Sequence, residues 1–96
     1  MVGRFANRIG GSRLVRDGRE WLLSANEGTT CLHGGHDSVH NRAWQLVEQA
    51  ADRLRLRTRL ADGEQGFPGN LEVELEYRLE QLDLVIELTA TTDAPT

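Results

Sequence analysis

The short segment CLHGGHDSVHN contains all the histidines of the chain: His33, His36 and His40. Their spacings of three and four residues would align them on one face of a helix, where they could converge on a metal ion. Gly34 and Gly35 disfavour a helix at this point, because glycine loses the most conformational freedom on folding. A metal site is therefore the weaker interpretation, and histidines acting singly as hydrogen-bonding groups are the stronger one.

His33 and its neighbours are suited to a polar cleft. An imidazole both donates and accepts hydrogen bonds near neutral pH, and the adjacent Gly34 and Gly35 would let a ligand approach the backbone closely. Cys31 is the only cysteine, so neither a disulfide within the chain nor a thiolate zinc site is expected. We interpret Cys31 as a small packing residue.

A second polar segment is GRFANRIGGSR, in which glycines lie on both sides of Asn7 and Arg8. A constrained backbone there would present a planar guanidinium with several N–H donors, which suits the hydroxyl groups of a small polar ligand. A single arginine at a strand end is also commonly a surface charge. The residues alone leave both readings open.

Composition limits the classes of partner. The chain has 96 residues, 39% of them hydrophobic, with a formal net charge of -4, which predicts one small globular domain and no nucleic-acid partner. No segment approaches the roughly 20 apolar residues that span a bilayer, and the N-terminus lacks the apolar stretch of a secretory signal. A single cysteine fits a reducing compartment. We therefore expect a cytoplasmic protein with no membrane partner.

The elements that must position these polar residues are strands, because apolar residues recur with a period of two. The segments that show this alternation are 13–16, 19–23, 43–48, 53–60, 71–79 and 82–88. Asp17-Gly18 lies between the first two and predicts a tight hairpin. No amphipathic helix is predicted. The prediction is an antiparallel meander, all or part of a β-sandwich, with its chemistry on the long connections 24–42 and 61–70.

Two of the predicted strands carry opposite charges. Arginine occupies every second position over 53–59, and glutamate does so over 72–76. Opposite charges that face each other across a sheet stabilise it by a few tenths to about 1 kcal/mol per pair. We therefore predict that these two strands are antiparallel neighbours, rather than that the arginines bind an anion.

Four motifs follow one another along the chain: VGRFANRIGGSR at 2–13, DGREWLLSANEG at 17–28, LHGG at 32–35 and DGEQGFPGNLEVELEY at 62–77. In this order they resemble the aldose 1-epimerase family, also called the galactose mutarotases. The closing TATTDAPT resembles the segment that precedes the family's central histidine motif. The resemblance thus covers essentially the whole chain.

The resemblance implies an all-β fold, an antiparallel β-sandwich of the galactose mutarotase type, of which this chain would form a single incomplete domain, the N-terminal segment. It implies an enzyme that interconverts the α and β anomers of hexoses such as galactose and glucose without a cofactor. A general base takes the proton of the C1 hydroxyl while a histidine acid protonates the ring oxygen, so the ring opens and recloses as the other anomer. Asn7 and Arg8 would bind sugar hydroxyls, His33 would contact the sugar near its ring oxygen, and His36 and His40 would be bystanders.

The family's catalytic motifs have no match in this sequence. Its acid lies in an Asn-His-Ser-Tyr-Phe-like motif, which we expect shortly after Thr96, and its base lies further on. We therefore assign no catalytic residue here and expect the chain alone to be inactive. An alternative is a noncatalytic carbohydrate-binding or assembly module derived from the same fold. Because a partial sandwich leaves strand edges unpaired, homo-oligomers formed through those edges are also expected.

Overall fold

The computed structural model describes residues 1–96 and contains eight strands, two short 3-10 turns and no α-helix. The strands are β1 (Arg8–Ile9), β2 (Arg13–Arg16), β3 (Arg19–Leu22), β4 (Cys31–Leu32), β5 (Gln45–Gln49), β6 (Arg53–Leu60), β7 (Leu71–Glu80) and β8 (Asp83–Thr92). The 3-10 turns are Gly10–Ser12 and Glu64–Gly66. None of the helical segments is long and apolar enough to span a membrane.

The strands form three antiparallel sheets. The largest is a four-stranded meander in the order β5-β6-β7-β8, and the other two are the β2-β3 hairpin and the β1-β4 pair. All six predicted strands are confirmed, with shifted ends: β5 starts at Gln45 rather than at residue 43, and β8 continues to Thr92. The strands β1 and β4 were not predicted, because two residues are too few to show a period.

The hairpin predicted at Asp17-Gly18 is confirmed. Arg16 pairs with Arg19 across the turn, and Asp17 and Gly18 have φ values of 49° and 74°. Positive φ at both central residues is the requirement of the two-residue turns that match the twist of paired strands. The local Asp-Gly signal is therefore sufficient to set this turn.

The predicted charge pairing between β6 and β7 is also confirmed. Arg57 lies opposite Glu74, with Nε 2.8 Å from Oε1, and Arg59 lies opposite Glu72, with Nε 2.6 Å from Oε2. Arg55 lies opposite a glutamate as well but instead donates to Glu48 of β5, at 2.7 Å. These groups are partly exposed, so the pairs add little to the stability of the fold and mainly favour this register over others.

Apolar residues cover the opposite face of the sheet and are buried at one end only. Leu60 and Val73 pack against Val39 of the long 24–42 connection, with Trp44 and Leu71 around them. Leu75 is also buried, and Leu54, Leu56 and Tyr77 are half-buried. Five further apolar side chains of this face are more than half exposed: Leu46, Leu79, Leu84, Ile86 and Leu88. A second small cluster joins the hairpin, β4 and the 61–70 connection through three buried residues: Leu23, Cys31 and Phe67.

We expect Gly66→Ala to destabilise the chain far more than Gly63→Ala. Both glycines have left-handed φ values, 85° and 81°, which cost a residue with a Cβ about 1 kcal/mol. A Cβ on Gly66 would also lie 2.0 Å from the carbonyl oxygen of Leu22, whereas one on Gly63 meets nothing within 4 Å. Urea unfolding should therefore show a loss of about 3 kcal/mol or more for Gly66→Ala. Equal unfolding midpoints for the two variants would contradict this close approach.

Candidate functional site

The pairing of β1 with β4 brings the two polar segments together. Arg8 lies opposite Leu32 and Ile9 opposite Cys31. Just beyond this ladder, the His33 N–H donates to the Asn7 carbonyl at 2.9 Å, and the Asn7 N–H donates to His33 Nδ1 at 3.1 Å. Residues that are 26 positions apart are thus joined by two reciprocal hydrogen bonds.

These bonds orient the His33 imidazole. Because Nδ1 accepts a hydrogen bond from a backbone N–H, the neutral ring carries its proton on Nε2. His33 and Asn7 both have left-handed φ values, 52° and 65°. A non-glycine residue in that region is uncommon and is kept there by its surroundings, here by the two bonds between these residues. The ring edge that carries Nε2 is therefore a hydrogen-bond donor.

The Arg8 guanidinium is held by two neighbours. Its Nε donates to Glu27 Oε2 at 2.5 Å and its Nη2 to Glu27 Oε1 at 2.8 Å, while Nη1 donates to Asn7 Oδ1 at 3.2 Å. The hydrogen bond from Arg8, together with the attraction of its charge, holds the pKa of Glu27 below its ordinary value against a smaller opposing effect of burial. Glu27, which the sequence did not point to, is therefore an ionised member of the site.

The paired glycines serve close contact within the protein. A Cβ on Gly34 would lie 2.1 Å from the Gly3 carbonyl oxygen, and one on Gly35 would lie 2.5 Å from Gln65 Oε1. The same Gln65 oxygen accepts a hydrogen bond from the His36 N–H at 2.9 Å. On the side where a Cβ would stand, the protein's own atoms therefore fill the space beside both glycines.

Arg4 fastens the first segment to the 61–70 connection. Its guanidinium donates to carbonyl oxygens at the ends of that connection, at 2.7 Å to Gly69 and 2.8 Å to Ala61, and lies 5.9 Å from the centre of the Phe67 ring. Burial lowers the pKa of Arg4, while nearby carboxylates oppose that shift. With several acceptors in place, Arg4 acts as a structural anchor next to the site.

A cleft of about 460 Å³ lies beside the site. Its lining residues are Arg4, Phe5, Arg8, Ile9, Leu14, Phe67 and Thr96. Phe5 is 47% exposed, so an aromatic face is available near the guanidinium. The structure brings Asn7, Arg8 and His33 together as predicted, but only Arg8 lines this cleft. The cleft therefore adjoins the contact between Asn7 and His33 through Arg8.

The other residues of the histidine segment have separate positions. Cys31 is 1% exposed, and burial raises the pKa of its thiol, so the expected packing role is confirmed. His36 is exposed, as expected. His40 is exposed too, but its ring lies edge-on to that of His33 with the centroids 6.4 Å apart, which places it nearer to the site than expected. No three His, Cys, Asp or Glu side chains are grouped closely enough to hold a metal ion.

Together the fold and the site define an all-β protein, part of an antiparallel β-sandwich, whose polar site lies where two short strands meet. The aldose 1-epimerase family model matches residues 1–96. The chain therefore belongs to the aldose 1-epimerase family. An aldose 1-epimerase from Escherichia coli (strain K12) is 41% identical over 95 residues, which cover 98% of this chain and 28% of that protein. A galactose mutarotase from Bos taurus is 34% identical over 98 residues, which cover 100% of this chain and 28% of that protein.

Solved structures show the same fold. An aldose epimerase homologue from C. elegans superimposes with a TM-score of 0.86 and 34% identity, covering 96% of this chain and 29% of that one. A galactose 1-epimerase from Lactobacillus acidophilus superimposes with a TM-score of 0.80 and 27% identity, with the same coverage. The chain thus spans less than a third of the length of the relatives that it matches.

Proposed function

We propose that this chain supplies the sugar-binding part of an aldose 1-epimerase, an enzyme that interconverts the α and β anomers of hexoses such as galactose and glucose. The observation that carries the proposal is the hydrogen-bonded group of Asn7, Arg8 and His33 in a chain of that family. In this proposal residues 1–96 are one incomplete β-sandwich domain. Its single, buried thiol suits a reducing compartment, the cytoplasm.

The polarity of the site suits an uncharged sugar. The positive charge of Arg8 is balanced by Glu27 at hydrogen-bond distance, so the pair offers donors without a net charge. His33 offers Nε2–H, which we propose is directed to the ring oxygen, and Arg8 and Asn7 bind hydroxyl groups. The exposed ring of Phe5 in the adjoining cleft provides a surface for the C–H face of a hexose.

The proton transfers of the reaction require two further groups. A base takes the C1 hydroxyl proton and an acid donates one to the ring oxygen, each step contributing about 10² to 10⁴-fold. No segment of the 96 residues matches the family's acid motif. In the whole enzyme the residues present here would bind and orient the sugar, and groups outside this chain would move the protons.

Arg8→Ala should weaken binding of D-galactose without unfolding the chain. The Arg8 side chain is 55% exposed and adds little to the core, but hydrogen bonds from a charged group are stronger than those between neutral groups, so we expect a loss of affinity of about tenfold. Chemical-shift titration by NMR measures the affinity, and urea unfolding measures the stability. Arg13→Ala is the matched control, because Arg13 is 57% exposed and also bonded to a glutamate. Equal affinity of Arg8→Ala and wild type would count against the assignment.

The 96-residue chain by itself should not accelerate mutarotation above the buffer rate. One histidine that contacts the sugar does not replace both an acid and a base. Polarimetry of freshly dissolved α-D-glucose measures the rate. A rate that rises in proportion to the chain and is lost in His33→Ala would show that the chain contains a complete active centre.

The open half of the apolar sheet face favours a second function, assembly with another copy. β8 is an edge strand of ten residues, and its side chains Leu84, Ile86 and Leu88 are more than half exposed. Antiparallel pairing with a second β8 centred on Ile86 would place Leu84 opposite Leu88 and Val85 opposite Glu87, with no like charges facing each other. The opposite edge, β5, is shorter and carries a bulge next to Leu46, which makes it a poorer partner.

Ile86→Lys should prevent this association. In the twofold arrangement the two introduced ammonium groups would face each other, and lysine on an edge strand opposes pairing. Light scattering after size exclusion should give a dimer for the wild type and a 10.7 kDa monomer for the variant. Val15→Lys, an exposed site on the hairpin, should leave the dimer intact. A monomeric wild type would rule out assembly through β8.

A further inference from the structure

The contact between Glu27 and Arg8 restricts the arginine strongly. Both carboxylate oxygens are used, one by Nε–H and one by an Nη2 hydrogen, and a third N–H is directed to Asn7. A guanidinium has five N–H donors, so two are left for a ligand. Rotation of the guanidinium would break two charge-assisted hydrogen bonds at once. The direction of its two free donors is therefore set by Glu27.

Glu27 is itself fixed by a tight turn. Its N–H donates to the Thr30 carbonyl at 3.1 Å and its carbonyl accepts from the Thr30 N–H at 2.9 Å. The neighbouring Asn26 side chain accepts from the Leu32 N–H at 2.7 Å and donates to the Leu32 carbonyl at 2.9 Å. Leu32 directly precedes His33. The carboxylate that holds Arg8 and the imidazole that we assign to the sugar therefore belong to one hydrogen-bonded unit.

We infer that Glu27 is a positioning residue for the sugar: its carboxylate orients Arg8 so that the two free N–H groups meet hexose hydroxyls on the side occupied by His33. The inference rests on the proposed function. Glu27 needs no contact with the sugar in this role, because both of its oxygens are already engaged by Arg8. Its effect on binding passes through the guanidinium alone.

A contribution to stability does not account for this pair. The Arg8 and Glu27 side chains are 55% and 43% exposed, and ion pairs in that setting add little to folding. The chain contains a matched pair, Arg13 with Glu20, whose side chains are 57% and 40% exposed and which lies on the β2-β3 hairpin. Any difference between the two pairs in ligand binding therefore reports their location rather than their exposure.

The test compares Glu27→Gln with Glu20→Gln in the 96-residue chain, using D-galactose as the probe and NMR titration as the readout. Loss of the charged partner should lower the affinity of Glu27→Gln about tenfold, whereas Glu20→Gln should bind like the wild type. Urea unfolding should give both variants the wild-type midpoint. The Arg8 Nε–H resonance should shift and exchange faster in Glu27→Gln alone. In an Arg8→Ala background, Glu27→Gln should produce no additional loss of affinity.

The outcomes separate the inference from the function on which it rests. If the wild-type chain does not bind galactose, the proposed function fails and the role of Glu27 fails with it. If the wild type binds and Glu27→Gln binds equally well, only the inference is overturned. A further loss of affinity in the Arg8→Ala background would overturn it too, because Glu27 would then act on the sugar without Arg8. A lower unfolding midpoint for Glu27→Gln than for Glu20→Gln would make the residue structural instead.

Discussion

Two reciprocal hydrogen bonds between Asn7 and His33 connect the segment that presents Arg8 to the turn that carries Glu27. Neither residue has a helical or extended backbone, and the two bonds keep both residues in the left-handed region. Once this contact has formed, it determines the orientation of the His33 imidazole and the position of the Arg8 guanidinium. The arrangement of the polar groups in the site therefore depends on the antiparallel pairing of β1 with β4.

The four-stranded sheet supports the pairing of β1 with β4 through the 61–70 connection. The connection between β6 and β7 leaves the sheet, and its Gln65 side chain reaches the backbone of Gly35 and His36, while Arg4 binds the ends of the same connection. Cross-strand charges keep β6 and β7 in register, which fixes where the connection begins and ends. Through this connection the four-stranded sheet positions the loop segments that carry the site.

The site joins charged groups without creating a charged surface. An isolated arginine would attract anions, but Arg8 shares its charge with a carboxylate held by a rigid turn. Such a pair retains directional N–H donors, which suits neutral hydroxyl groups better than phosphates. The same pairing would be of little value as a stabilising device, because both side chains are largely in water.

The sequence by itself determined the regular elements, since their signals are local: alternating residues for β6, β7 and β8, Asp17-Gly18 for the hairpin, and opposite charges for the β6-β7 register. It also pointed to Asn7, Arg8 and His33 through motifs. Only the tertiary structure decided that β1 pairs with β4 and that Glu27 holds Arg8. It also decided that the protein's own atoms fill the space where a Cβ on Gly34 or Gly35 would stand. These contacts join residues far apart in the chain, and strands of two residues are too short to have a period. No local pattern encodes them, because they exist only when distant segments have been brought within hydrogen-bond distance.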